Sequence, residues 1–80
     1  MTEQKQIEKF VESVLDDRDL DWDVALVELN LATHTWNIEF EVPNGPEVLI
    51  TVPQGAAQDM KRVIAAQVDE EIDRVKAHRH

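Results

Sequence analysis

Amphipathic helical patterns at both ends of the chain, three strand-like patterns between them, and a turn sequence after each strand predict an α+β fold. The expected architecture is a two-layer α/β sandwich ordered helix-strand-strand-strand-helix. Its sheet is a three-stranded antiparallel meander, and both helices lie on one face of it. At 80 residues the chain is expected to be a single domain, 1–80, with a thin core.

The first helix reads over residues 3–18. Ile7, Phe10, Val11, Val14 and Leu15 recur at the helical period, with Thr2 as the expected N-cap and Glu3 in the first turn. Asp16 and Asp17 oppose the helix dipole at the far end, and Arg18 offsets part of that. Residues 22–30 read as the first strand, but Trp22, Val24 and Leu26 alternate with Ala25, Val27 and Leu29, so both faces are apolar. Either one set faces away from the helices, or the strand twists or bulges so that both are partly covered.

Leu31-Ala32-Thr33-His34 is the expected hairpin connection. Trp36, Ile38, Phe40 and Val42 then alternate strictly with Thr35, Asn37, Glu39 and Glu41, the pattern of a strand with one buried face. Pro43-Asn44-Gly45-Pro46 reads as a turn in which Asn-Gly supplies positive φ. Residues 47–52 form the third strand, with Val48, Ile50 and Val52 opposite Glu47, Leu49 and Thr51. After the break at Pro53-Gln54-Gly55, a long helix over 55–78 carries the stripe Ala57, Met60, Ile64, Val68, Ile72 and Val75. Glu70 and Arg74 form an i,i+4 pair, and Arg74, Lys76 and Arg79 suit the end of the dipole.

Seventeen acidic residues against eight basic ones give a net charge of −9. Residues 1–53 hold twelve acids and three bases, whereas residues 54–80 hold five of each. Such a surface repels nucleic-acid phosphates and anionic membranes and favours basic partners or cations. The lack of cysteine excludes disulfides, iron–sulfur clusters, thiolate zinc sites and a cysteine nucleophile. No apolar run approaches the ~20 residues of a membrane span, and the first ten residues lack a signal peptide's apolar core. A soluble, cytoplasmic protein that touches neither membrane nor nucleic acid is expected.

The element order resembles that of double-stranded RNA-binding domains, and the likeness continues into the last helix. Gly55 opens that helix, and Ala65-Ala66 occupies places where the family often has small residues. The resemblance implies the fold alone. The family grips phosphates with lysines at the start of this helix, where the present chain reads Ala56, Ala57, Gln58 and Asp59. Without those lysines the electrostatic attraction that dominates RNA affinity is missing.

The most unusual stretch is the acidic run from Asp16 to Asp23. Counted from Asp17, positions 1, 3, 5 and 12 of a calcium-binding EF-hand loop fall on Asp17, Asp19, Asp21 and Glu28, and Val24 holds the apolar position 8. Trp22 stands where that loop requires glycine, and a strand follows instead of a helix. The expected reading is a solvated acidic loop holding at most a loose cation site. His34, His78 and His80 do not form a converging metal set.

Catalytic patterns are absent from the sequence. Ser13 is the only serine and stands outside any nucleophile elbow, there is no tyrosine, and Gly45 and Gly55 are the only glycines. Glu39 and Glu41 share a strand face as solubilising carboxylates. Neither an enzyme nor a cofactor is expected.

Two apolar features lack a burial site. A 24-residue helix spans about 36 Å and an eight-residue strand about 27 Å, so Ile72 and Val75 are expected to overhang the sheet. Trp22 and Leu26, with Leu49 across the sheet, are expected on the side away from the helices. These five are the interaction candidates. The expected function is a non-enzymatic protein–protein interaction or regulatory module, its partner a basic protein surface or a second copy in a homodimer. The alternatives are an acidic nucleic-acid mimic that inhibits a DNA-binding protein, and a weak cation-binding domain.

Overall fold

A computed structural model describes residues 4–43, 45–55 and 57–78. Thr2, Glu3, Asn44, Ala56, Arg79 and His80 therefore lie outside the described residues, as do the side chains of Ala57 and His78. The order is α1 (Gln4–Asp17), β1 (Asp23–Asn30), β2 (Thr35–Glu41), β3 (Val48–Pro53) and α2 (Ala57–His78). The strands form one open antiparallel sheet, β1-β2-β3, with both helices packed on the same face, as expected. No helix among the described residues is long and apolar enough to cross a membrane.

Helix α1 buries Ile7, Val11, Val14 and Leu15 and half-buries Phe10. It stops in a Schellman arrangement. Asp19 N–H donates to the Asp16 carbonyl at 3.1 Å and Leu20 N–H to the Leu15 carbonyl at 3.0 Å. Asp19 takes a left-handed φ of 53° in the place usually held by glycine. Leu15 and Leu20, the apolar pair that accompanies such a cap, both join the core.

Strand β1 answers the ambiguity of its sequence with a bulge. Val24 pairs with Phe40 but Leu26, not Ala25, pairs with Glu39, so Ala25 is the extra residue. The slip puts Val24, Val27 and Leu29 on one side despite their mixed spacing, and it leaves Leu26 on the other. Trp22, just before the strand, is buried against Phe40, with ring centroids 5.6 Å apart and planes tilted by 56°. The expectation that Trp22 faces away from the helices is therefore corrected. Rows Val24–Phe40–Val48, Val27–Ile38–Ile50 and Leu29–Trp36–Val52 build the inner face of the sheet.

The hairpin between β1 and β2 uses local hydrogen bonds. Asn30 Oδ1 accepts from Ala32 N–H at 3.0 Å, and His34 closes the loop with a φ of 54°. Of the Asn-Gly pair expected to supply positive φ after β2, Asn44 lies outside the described residues and Gly45 does not adopt it. Gly45 is required for close approach instead: a Cβ there would stand 2.8 Å from Val42 Cγ1 and 3.6 Å from Val75 Cγ1. Gly45 N–H donates to the Val42 carbonyl at 3.1 Å.

That turn covers the far end of α2, so the expected overhang does not occur. Val75 is 5% exposed and Ile72 packs half-buried against the core. The buried face of α2 runs Met60, Ile64, Val68, Glu71, Val75. Each four-residue step overshoots the helical period by about 40°, and the three-residue step to Glu71 brings the stripe back over the sheet. Ile72 would have continued the drift, which is why it lies on the flank. Glu71 keeps an ion pair with Arg74 Nη1 at 3.2 Å.

These contacts set the expected stability of three variants. Asp19→Gly relieves both the left-handed strain and an anion at the helix C-terminus, and is expected to stabilise by roughly 0.5–1 kcal/mol in urea unfolding. Val75→Glu puts a charge in the core and is expected to cost about 2–4 kcal/mol. Ile72→Glu, on the flank, is expected to cost about 1 kcal/mol in the same measurement.

Candidate protein-interaction surface

Because both helices cover one face of the sheet, the other is bare, and strand alternation decides what it shows. Its rows are set by the register: Asp23 opposite Glu41; Leu26, Glu39 and Leu49; Glu28, Asn37 and Thr51; Asn30, Thr35 and Pro53. Glu47, one residue before β3, shares a shallow cleft with Asp23 and Glu41 at the end of the sheet, floored by Val42, Pro43 and Gly45. Thr51 Oγ1 donates to Asn37 Oδ1 at 3.3 Å within this face.

The charges of the molecule are segregated. Residues 19–56 contain seven carboxylates and not one lysine or arginine. Lys5 and Lys9 lie on α1, Arg18 directly follows it, and Lys61, Arg62, Arg74 and Lys76 lie on α2. The bare face thus displays Asp23, Glu28, Glu39, Glu41 and Glu47, with no lysine or arginine on it among the described residues. Like charges directly opposite, as in Asp23 and Glu41, destabilise a sheet.

Of the five apolar interaction candidates, only two are on view. Leu26 is 44% and Leu49 60% exposed, one on each side of half-buried Glu39. Trp22 and Val75 are core residues and Ile72 is a flank residue, so none of the three offers a free apolar surface. Leu31, at the hairpin tip, is 71% exposed and was not singled out by its sequence context.

The candidate calcium ligands are not brought together. Asp17 ends α1, Asp19 is locked in the helix stop, Asp21 lies in the connection and Glu28 stands well along β1 on the bare face. Among the described residues, no group of three or more histidine or carboxylate side chains is placed to hold a metal.

On the helical side, Arg18 and Asp69 clamp α1 to α2. Arg18 Nε and Nη2 both donate to the Asp69 carboxylate, the latter at 3.0 Å, and Nη1 reaches the Val14 carbonyl at 3.5 Å. Nearer their N-termini the helices are separated by a shallow cleft lined by Gln6, Phe10, Gln58 and Lys61. The two helices therefore run parallel.

No protein-family model matches this chain, and neither does any curated protein or solved structure.

The Arg18 guanidinium, through its hydrogen bonds and then its charge, holds the Asp69 carboxyl below its ordinary 3.8. A lowered folded-state value stabilises the fold above pH 3.8, and this contribution is lost as the pH falls through the folded value. Asp69 is more than half exposed and the Arg18 side chain about a quarter, so solvent screens the pair. Asp69→Asn is expected to cost about 0.2–1 kcal/mol at neutral pH. The difference from the unmodified protein should shrink away in thermal melts taken below pH 3.8.

Proposed function

We propose that this chain is a non-enzymatic protein-interaction module whose bare sheet face recognises a basic surface on another protein. The observation that carries the reading is the segregation of charge: five carboxylates on one sheet face, and no lysine or arginine anywhere in residues 19–56. Opposed like charges such as Asp23 and Glu41 cost stability by roughly 0.2–1 kcal/mol per pair, a cost that a cationic partner would relieve. Leu26 and Leu49 supply apolar contact within the acidic field, which supports protein as the partner more than a small cation.

A second copy of the chain fits this face poorly, because pairing it with itself would bring carboxylates against carboxylates. The same segregation favours one other reading, an acidic nucleic-acid mimic. In that case the partner is a nucleic-acid-binding protein, and nucleic acid competes for it.

The test is affinity purification from the native cell, with the unmodified chain and with Glu28→Gln/Glu39→Gln/Glu41→Gln as paired baits. A basic protein retained by the first, released as ionic strength rises and absent from the second, is the expected result. Identical retained proteins on both baits would overturn the reading. Release of the partner by added DNA would select the mimic.

A further inference from the structure

A sheet can be contacted at either edge or on its bare face. Its β3 edge is closed. Thr51 N–H donates to Gln67 Oε1 at 3.3 Å while Gln67 Nε2 donates to the Thr51 carbonyl, so a side-chain amide sits where a neighbouring strand would pair. Pro53, the next residue of β3 with the same parity, has no N–H to offer.

Because Thr51 points away from β2, the hydrogen-bonded pairs between β2 and β3 are Trp36–Val52, Ile38–Ile50 and Phe40–Val48. The bond from Gln54 N–H to the His34 carbonyl, at 2.8 Å, keeps the same parity. Carried across β2, this parity turns the backbone groups of Val27 and Leu29 to the outer edge of β1. Yet Val27 is only 5% exposed and the Ala25 bulge bends the strand beside it, so this edge is a poor template as well. An added strand is disfavoured at both edges, which leaves the face.

On that face Leu26 and Leu49 stand in one row with Glu39 between them. Two strand spacings separate the leucines by about 9–10 Å. In an α-helix, residues i and i+7 share a side and lie about 10.5 Å apart, with i+3 and i+4 between them. Carboxylates flank the row on both sides, Asp23, Glu41 and Glu47 towards one end of the strands and Glu28 towards the other.

We infer that the occupant of this face is an amphipathic basic helix of the partner, lying across the strands. Its apolar residues at i and i+7 meet Leu26 and Leu49, and a lysine or arginine at i+3 or i+4 meets Glu39. Further basic residues on its flanks face Asp23, Glu41, Glu47 and Glu28. The inference rests on the reading of the acidic face as a site for a basic protein and adds the shape of what binds.

The probe is a synthetic peptide of about four helical turns, with leucine at i and i+7, arginine at i+3 and i+4, lysine on the flanks and alanine elsewhere. Its control has the same composition, with the second leucine moved to i+5, on another side of the helix. Both are titrated at low ionic strength into isotope-labelled protein, with the methyl signals of Leu26 and Leu49 followed by NMR. The first peptide is expected to shift both leucines and gain helical circular dichroism on binding. The control should bind at least about tenfold more weakly, the change expected when one leucine loses its contact. Glu39→Lys, with its fold checked by circular dichroism, should abolish binding of the first peptide.

Equal affinity for the two peptides, with binding still lost in Glu39→Lys, would overturn the helix geometry while leaving the basic-partner reading intact. Shifts centred away from Leu26 and Leu49, or no binding of either peptide, would overturn the inference. The paired-bait purification judges the broader reading independently of this result.

Discussion

Two helices can cover only one face of a three-stranded sheet, so every large apolar side chain of the strands has to reach that face or go unburied. For β2 and β3 the two-residue alternation of Trp36, Ile38 and Phe40 and of Val48, Ile50 and Val52 meets the demand directly. For the segment around β1 it does not, because Trp22 and Val24 have one parity and Val27 and Leu29 the other. One extra residue, Ala25, reconciles them. The bulge lets Trp22 pack on Phe40 while Val27 packs beside Ile38, and it makes Leu26 the apolar residue left outside. The composition of the bare face is thus a consequence of how the core was filled.

Matching lengths between the layers is the second demand. The 22 residues of α2 extend about 33 Å over six-residue β3, about 20 Å long. The shortfall is made up by irregular chain, where Val42 and Gly45 continue the sheet layer and close over Val75. This works only because Gly45 lacks a side chain. It also explains why the buried stripe of α2 can extend to Val75 without needing another chain, and why Glu71 lies within it. A near-axial stripe follows the sheet only if a three-residue step interrupts the four-residue ones.

The parts of the fold written in short-range periodicity were legible in the sequence: both helices, all three strands, the meander and the common helical face. What escaped depends on relations between distant segments. The bulge needs β2 as a reference, since Trp22 to Leu29 alone is compatible with either face being buried. Gly45 looked like a positive-φ turn residue because Asn-Gly often is, whereas its role is set by Val42 and Val75. The Gln67 amide on Thr51 and the Arg18 clamp on Asp69 join residues 16 and 51 positions apart and carry no local pattern. Of the site, Leu26 and Leu49 were visible as apolar residues on the wrong parity. The convergence of Asp23, Glu41 and Glu47 was not, though the alternation of Glu47 with Val48 and of Glu41 with Phe40 already implied a shared outward side.

Segregated charge also bears on why two exposed leucines need not make this small chain associate with itself. Leu26 and Leu49 together offer enough apolar area for a weak contact at most, and each stands next to a carboxylate on its own face. Any identical face brought against them carries the same five anions and, among the described residues, no lysine or arginine, so burying the leucines would also bury unpaired like charges. The favourable apolar term is small and the electrostatic one decides the sign. The sheet edges offer no escape, because Gln67 and Pro53 occupy one and the bulge beside buried Val27 distorts the other. Under the proposed reading, leucine contact on this face is therefore conditional on a partner that neutralises Glu39 and its neighbours, and opposite charge acts as the condition for apolar burial.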